Sequence, residues 1–263
     1  VHADVAGAIE DLFVPLARFA ELTQAGDLPR RGVTDRDQLE ATDERLLWLR
    51  RVLDPVGVPQ ATVYLWRGGG YACEVELGGA PVILLGSTLA SDDNARQRAF
   101  VVARMAELYR SGHILCSRLS SSELQGLAAA LCLALVPDAA PYGANVSTLE
   151  LAGVIAGPMT EAVRQSMAPR AQYYMQAAPA LDFAAWRQAA QISATRAAML
   201  ASCDVADAIG AILRLQGFDD LTDDQRLAVL RESPEAFDLF TFAVSTPFMQ
   251  LRQSLGLALR RSK

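Results

Sequence analysis

The sequence predicts an α+β protein that is mostly helical, in which a helical bundle accompanies a small antiparallel sheet. Hydrophobic residues make up 51% of the 263-residue chain, which is enough to fill a core. Aromatic residues make up only 7%, and long stretches are rich in Ala and Leu, as in helices that pack closely through small side chains. One region, residues 61–85, is instead rich in Val, Tyr and Trp and predicts the strands.

Residues 1–55 are predicted to form a helical pair. The first helix is indicated by apolar residues that recur at helical spacing, namely Ile9, Leu12, Phe13, Leu16, Phe19 and Leu22. A second amphipathic stretch, residues 39–53, follows Thr34 and Asp37, whose spacing is typical of a capping box at a helix start. The segment 26–32, with Pro29 and flanking glycines, predicts the loop between the two helices.

Residues 56–90 are predicted to form the sheet. Two β-rich stretches, 61–66 and 71–77, are joined by Arg67 and three glycines, which favours a hairpin. A third apolar stretch, 81–85, is predicted to be an edge strand beside this hairpin.

Residues 91–263 are predicted to form the helical bundle, and the whole chain, 1–263, to form one domain. Cap signals at predicted helix starts are Ser120 with Glu123, Ser147 with Glu150, Thr222 with Gln225, and Ser233 before Pro234. Tyr173-Tyr174 and Phe183-Trp186 are aromatic clusters at helical spacing and are predicted to pack in the core. Because the chain starts at Val1 and enters a helical pattern at once, we expect it to be the C-terminal part of a longer protein.

The charge pattern argues against nucleic acid and membranes as partners. The net charge is −6, and no basic run exceeds a pair such as Arg260-Arg261. The longest uncharged apolar run, 124–136, is shorter than the roughly 20 residues that span a bilayer, so we expect no membrane insertion. The four cysteines are scattered, which predicts reduced core thiols in a cytoplasmic protein. Acidic pairs such as Asp92-Asp93 and Asp219-Asp220 are interpreted as charges at helix starts.

Three sequence motifs occur in a fixed order over roughly residues 64–255. The first is Pro81-Val82-Ile83-Leu84-Leu85-Gly86 followed by a helical stretch that ends in Ser111-Gly112-His113. The second places Trp186, Gln191, Thr195, Arg196 and Leu200 on one predicted helix, and the third is Ser245-Thr246-Pro247-Phe248 with Leu251-Arg252. Together they resemble the gluzincin metallopeptidases of the HtpX and CAAX-prenyl-protease type. The resemblance implies a zincin-like fold.

In that family, the active helix carries His-Glu-x-x-His before the Ser-Gly-His trailer, and the later helix carries a Glu ligand and an Asp that supports it. The resemblance therefore places the two histidine positions at Arg104 and Leu108 and the general base at Met105. It places the third ligand at Gln191 and the supporting Asp at Thr195. A catalytic zinc needs three donor side chains, and these residues do not supply them. The resemblance thus implies an inactive homologue with neither metal nor other cofactor.

The sequence leaves several functions open. The leading hypothesis is a non-catalytic zincin-like domain that acts as a protein-interaction or scaffold module, bound to a protein partner or to another domain of its own longer chain. Strand addition along Val82, Ile83 and Leu84 is one predicted mode of binding, and an Ala/Leu-rich helical face beyond Leu124 is another. Arg104 is predicted to bind an acidic group of a partner or, as the simpler interpretation, to form an internal ion pair with Glu107 or another carboxylate.

Two alternatives belong to other classes of protein. One is an enzyme with a relocated metal or hydrolytic site. A relocated zinc site would have to use His113, Cys116 and a third residue such as Glu107. His113 and Cys116 are three residues apart, although packing is the simpler role for both. The other alternative is a structural end-cap of a longer helical-repeat protein.

Overall fold

The computed structural model describes residues 3–16, 28–58, 60–76, 81–139, 141–202, 204–219 and 221–254. Over these residues the chain is mostly helical with a small three-stranded mixed sheet, which confirms the predicted α+β, mostly helical class. The strands are β1 (Thr62–Trp66), β2 (Cys73–Glu76) and β3 (Val82–Gly86). The helices are α1 (Ala3–Leu16), α2 (Glu44–Val56), α3 (Ser87–Ala90), α4 (Ala95–Arg110), α5 (Leu115–Arg118), α6 (Ser121–Leu135), α7 (Val146–Ala156), α8 (Glu161–Ala177), α9 (Phe183–Ser202), α10 (Val205–Leu215), α11 (Asp223–Glu232), α12 (Pro234–Ala243) and α13 (Thr246–Ser254).

The chain packs as two compact units, each drawn from separate segments of the sequence. The first unit comprises the described residues of Val1–Asp27, Glu76–Val82 and Leu108–Ala190, and the second those of Leu28–Val75, Ile83–Glu107 and Gln191–Lys263. The interpretation of residues 1–263 as one domain stays a prediction. None of the helices in the described ranges is long and apolar enough to cross a membrane.

The core of the first unit forms where α6 packs against α7 and α8, and where α8 also contacts α1. Small residues of α6, such as Ala128 and Ala130, are completely buried and let the helices approach closely. An aromatic cluster completes this core. Trp186 lies 5.4 Å from Phe13 and 6.4 Å from Phe183 between ring centroids, and all three are buried, which confirms the predicted core role of Phe183 and Trp186. Tyr174 is also buried, whereas Tyr173 is 44% exposed, so the core role predicted for Tyr173 is wrong.

The sheet belongs largely to the second unit, and its strand order corrects the prediction of a hairpin with an edge strand. The order is β1-β3-β2, so β3 is the central strand, and the sheet is mixed rather than antiparallel. Ile83, Leu84 and Leu85 are at most 1% exposed. A continuous apolar run of this kind is typical of a strand that is covered on both faces. At the end of β3, Gly86 is required because an added Cβ would lie 2.3 Å from the Gly70 carbonyl oxygen.

The predicted helix over 39–53 begins later than expected. The Thr34 and Asp37 capping box is present, but it caps a single 3-10 turn, Asp35–Asp37. The chain then runs beside β1, where the Leu39 amide donates to the Val63 carbonyl at 2.9 Å. Helix α2 starts only at Glu44. Its N-cap is Asp43, whose side chain accepts a hydrogen bond from the Arg45 amide.

Local cap chemistry predicts several helix starts correctly. Ser120 and Glu123 form a capping box at α6, Thr222 and Gln225 form one at α11, and Ser233 caps α12. The predicted box at Ser147 is wrong, because Asn145 caps α7 two residues earlier by accepting from the Thr148 amide at 3.0 Å. Phe19 and Leu22, assigned to the first helix from their spacing, lie outside the described residues.

Candidate functional site

The candidate site is the place where the resemblance to gluzincins puts the metal. Arg104 lies in the third turn of α4, and Thr195 lies in the fourth turn of α9. Both residues belong to the second unit, where the two side chains are in direct contact: Arg104 Nε donates to Thr195 Oγ1 at 3.0 Å. Two of the five positions named from the sequence are therefore joined by a hydrogen bond.

A third residue, Glu235, completes this site, and we name Arg104, Thr195 and Glu235 the Arg104 cluster. Arg104 reaches Glu235 Oε1 through Nη2 at 2.9 Å and through Nε at 3.1 Å, and the Thr195 hydroxyl donates to the same oxygen. The Arg104 and Glu235 side chains are only 14% and 20% exposed, and Thr195 is 1% exposed. Arg104 thus forms the predicted internal ion pair, and its carboxylate partner is Glu235.

Sequence reasoning missed Glu235 because 131 positions separate it from Arg104 and no spacing links the two. The available signal was local. Ser233 and Pro234 predict a helix start. A carboxylate in the first turn of a helix is stabilised by the exposed backbone amides of that turn. Glu235 occupies that first turn of α12, and its carboxylate contacts Arg104.

The remaining three positions lie on the same two helices. Leu108 follows Arg104 by one turn of α4 and is completely buried, and Met105 is half-buried. Gln191 precedes Thr195 by one turn of α9 and is also half-buried.

These side chains do not fit a zinc ion. The Arg104 guanidinium has no lone pair to donate and stays positively charged, so it repels a cation at the position of the first ligand. Leucine offers no donor atom at the position of the second. The Glu235 carboxylate does carry lone pairs, but it is held by Arg104 and Thr195. The chemistry that this arrangement supports is a charge-assisted link between helices.

The Ser111-Gly112-His113 motif has a structural role at the end of α4. Gly112 adopts a left-handed φ of +79°, its amide donates to the Tyr109 carbonyl, and the His113 amide donates to the Leu108 carbonyl. This is the hydrogen-bond pattern of a Schellman cap, which favours glycine. An added Cβ at Gly112 would also lie 3.1 Å from the Val14 Cα. Helix termination alone thus accounts for this glycine.

The closing motif of residues 245–252 likewise starts a helix. The Ser245 hydroxyl accepts from the Phe248 amide at 3.4 Å, and Pro247 lies in the first turn of α13. Phe248 is buried with its ring 5.1 Å from that of Phe242, and the Arg252 guanidinium lies 5.6 Å from the Phe248 ring centroid. These contacts account for Pro247, Phe248 and Arg252 of the pattern, whereas Leu251 is 40% exposed.

His113 and Cys116, the pair considered for a relocated site, make packing contacts within the first unit. His113 Nδ1 lies 2.9 Å from Ser111 Oγ, its Nε2 lies 3.6 Å from a Glu10 carboxylate oxygen, and its ring packs edge-on against Trp186 at 5.7 Å. Cys116 is completely buried, and burial raises the pKa of its thiol to about 12. A thiol in that environment stays protonated at neutral pH and is a poor nucleophile.

Cys73 and Cys132 are free thiols and, like Cys116, they are buried, as predicted; burial raises the pKa of each to about 12. Cys203 lies outside the described residues.

Strand β3 does not offer the binding edge that was predicted for Val82, Ile83 and Leu84. Because β3 is paired with β1 on one side and β2 on the other, it lacks an open backbone edge to which a partner strand could add. Ile83 and Leu84 are also buried. The prediction that a partner strand adds at these residues is therefore wrong.

A polar groove of about 620 Å³ in the second unit was not predicted from the sequence. Arg214 lines it and donates to Asp92 at 2.6 Å, to Gln97 at 3.1 Å and to Asp219 at 3.3 Å. The Arg214 guanidinium also lies 3.7 Å from the Tyr71 ring centroid. The sequence analysis interpreted Asp92 and Asp219 as helix-start charges only. In the fold, both accept hydrogen bonds from Arg214, which is 122 positions from Asp92 and 5 positions from Asp219.

Helix α7 presents an exposed apolar surface in the first unit, which we name the α7 face. Val146, Leu149 and Val154 are each more than half exposed. They recur at helical spacing with Glu150, the single charged residue between Asp138 and Glu161. The α7 face lies in the part of the chain, beyond Leu124, for which the sequence predicts an apolar helical face.

Comparison of the chain with known protein families, with curated proteins and with solved structures finds no match. The relationship to gluzincins therefore rests on the sequence motifs and stays a prediction. Among the residues that the structure describes, no group of three or more His, Cys, Asp or Glu side chains is arranged to hold a metal ion.

Proposed function

We propose that this chain is a non-catalytic, zincin-like domain that acts in the cytoplasm as a protein-interaction or scaffold module. The observation that carries the proposal is the Arg104 cluster. The resemblance places one zinc ligand at Arg104 and places at Thr195 the Asp that supports the third ligand. Arg104 and Thr195 meet in the fold, where both bind Glu235. An ion pair that links α4 to α12 performs by charge attraction a task that a metal performs by coordination, namely to hold helices together.

The α7 face supports the interaction part of the proposal. Apolar side chains that recur on an exposed helix face are typical of protein interfaces, because a monomer gains nothing from leaving them in water. Glu150 lies at the centre of the face and is exposed. The partner that fits is therefore a helix or domain surface with apolar side chains and a basic residue placed opposite Glu150.

Two substitutions on the α7 face test this proposal. Leu149→Arg inserts a charge into the apolar surface, and Glu150→Lys reverses the central charge. We expect each substitution to weaken partner binding at least tenfold, which corresponds to about 1.4 kcal/mol of binding free energy. The matched control is Leu227→Arg on α11, since Leu227 is exposed to a similar extent. The measurement is quantitative mass spectrometry of proteins cross-linked to each immobilised variant in a lysate of the native cells.

The proposal predicts a set of proteins that wild type and Leu227→Arg retain equally and that both α7 variants lose. If Leu149→Arg retains the same set as wild type, the α7 face is not the interaction surface. If none of the proteins retained by wild type exceeds the level on blank beads, the domain is an inert end-cap and the proposal is wrong.

A further inference from the structure

Arg98 on α4 and Trp48 on α2, which pack together in the second unit, each carry a buried N–H group without an acceptor. The Arg98 guanidinium lies over the Trp48 ring, with its central carbon 4.7 Å from the ring centroid. Arg98 Nε and Trp48 Nε1 are both buried, and neither has a hydrogen-bond partner in the described parts of the chain. Buried donors are almost always paired in folded proteins, so two unpaired donors in one contact indicate an acceptor from outside the chain.

The unpaired Arg98 donor lies on the edge of the guanidinium that binds oxyanions. Arg98 Nη1 donates to the Ala90 carbonyl at 3.4 Å, which holds the guanidinium in place. The edge away from Nη1 consists of Nε and Nη2, and neither atom has an acceptor among the residues that the structure describes. These two parallel N–H groups match the two oxygens of a carboxylate or a phosphate. Because Arg98 as a whole is only partly buried, a ligand can reach Nη2 from solvent.

The charge at Arg98 favours an anion over a water molecule as this acceptor. Arg96 and Arg98 both lie in the first turn of α4, which has no acidic residue and where the helix end disfavours positive charge. Arg96 is compensated by Asp204 at 3.1 Å and by Asp207 at 3.7 Å. Arg98, in contrast, forms no ion pair with any carboxylate that the structure describes. A water molecule can satisfy a donor but cannot neutralise this charge.

We propose that Arg98 and Trp48 form a binding site for a carboxylate, a site that does not depend on the function proposed above. The Nε–Nη2 edge of Arg98 donates to the two carboxylate oxygens, and the Trp48 N–H supplies a third donor in the same contact. A carboxylate fits better than a phosphate dianion, because one guanidinium neutralises one negative charge and the whole chain has a net charge of −6. The amides at the start of α4 do not contribute, since Asn94 Oδ1 already accepts from the Arg96 and Gln97 amides, each at 3.1 Å.

Nuclear magnetic resonance of the complete, isotope-labelled chain tests this proposal, because the Trp48 indole N–H and the Arg98 Nε–H each give a signal. Sodium acetate replaces sodium chloride at constant ionic strength. We expect both signals to shift and to saturate with a Kd on the order of 10 mM, and we expect phosphate to bind at least threefold more weakly. Signals that do not saturate with acetate would show that water satisfies both donors and would overturn the proposal. Tighter binding of phosphate than of acetate would also overturn it.

Three variants locate the binding. Arg98→Lys keeps the charge but removes the paired donors, and we expect it to weaken acetate binding at least tenfold at the Trp48 signal. Arg96→Lys on the same helix is the matched control and should bind acetate as wild type does. If Arg98→Lys does not fold, Trp48→Phe gives the second comparison, because it removes the indole N–H and should weaken binding about threefold at the Arg98 signal. Equal affinity in wild type, Arg98→Lys and Trp48→Phe contradicts the site.

A blocked Ala-Glu-Ala peptide distinguishes the two sources of a carboxylate, with the blocked Ala-Gln-Ala peptide as its control. If the site takes an acidic side chain of a protein, the Glu peptide shifts the same two signals as acetate and the Gln peptide does not. If the site takes a small free acid, acetate alone shifts them. Equal shifts with the Glu and Gln peptides would show that the carboxylate is not what the site recognises, which contradicts the proposal.

Discussion

Arg104→Ala is expected to lower the free energy of unfolding by about 2–4 kcal/mol. The substitution leaves the Glu235 carboxylate mostly buried without its positive partner, and the Thr195 hydroxyl loses one of its two hydrogen bonds. The cost comes mainly from the unpaired carboxylate, since burying a charge without a partner is far less favourable than burying a pair. Urea denaturation followed by circular dichroism measures the effect.

The matched control for this prediction is Arg96→Ala on the same helix. Arg96 also forms an ion pair, with Asp204 at 3.1 Å, but its side chain is 63% exposed. An exposed ion pair contributes little, so the expected loss is below about 1 kcal/mol. The double variant Arg104→Met with Glu235→Gln removes both charges and keeps an acceptor for Thr195, and we expect it to regain at least half of the stability lost in Arg104→Ala.

A loss in Arg104→Ala no larger than that in Arg96→Ala would contradict the structural role of the Arg104 cluster. If Arg104→Ala kept its stability but lost a protein partner, Arg104 would instead belong to a recognition site.

Trp186→Ala is expected to have the largest effect of any single substitution considered, a loss of about 3–5 kcal/mol. Trp186 is 5% exposed and packs against the rings of Phe13, Phe183 and His113. Removing the indole leaves a cavity in the first unit that these rings cannot fill without rearrangement. The measurement is again the free energy of unfolding in urea.

Two further variants calibrate that result. Trp186→Phe keeps an aromatic ring, and the lost indole N–H has no hydrogen-bond acceptor among the described residues, so its cost should stay below about 2 kcal/mol. Tyr142→Ala removes an exposed ring from the same unit and should cost less than about 0.5 kcal/mol. A Trp186→Ala protein as stable as Tyr142→Ala would show that the aromatic cluster is not a core.

The features that the sequence predicted correctly are set by neighbouring residues. A capping box such as Ser120 with Glu123 acts over three positions, so its chemistry is visible in the sequence. The helical spacing of Phe183 and Trp186 likewise predicts that both face one core. The Thr34 box shows the limit of this reasoning. The cap formed as predicted, but the Leu39 amide donates to the Val63 carbonyl of β1 instead of continuing a helix.

The features that the sequence did not predict depend on pairing between distant segments. The β1 and β2 strands are adjacent in sequence and were expected to form a hairpin, yet β3 lies between them. The apolar run Ile83-Leu84-Leu85 was the available sign of a central strand, since an edge strand usually carries polar residues. In the Arg104 cluster, the motifs drew attention to Arg104 and Thr195, whereas Glu235 became visible only in the fold.

Metal analysis of the untagged, purified chain tests the central claim most directly, because the Arg104 cluster is incompatible with a zinc ion in the same place. After purification in buffer that contains zinc, we predict well below about 0.1 zinc per chain and a melting temperature that neither added zinc nor a chelator changes. About one zinc per chain, removed by a chelator with a fall in melting temperature or with the loss of a proteolytic activity, would contradict the account.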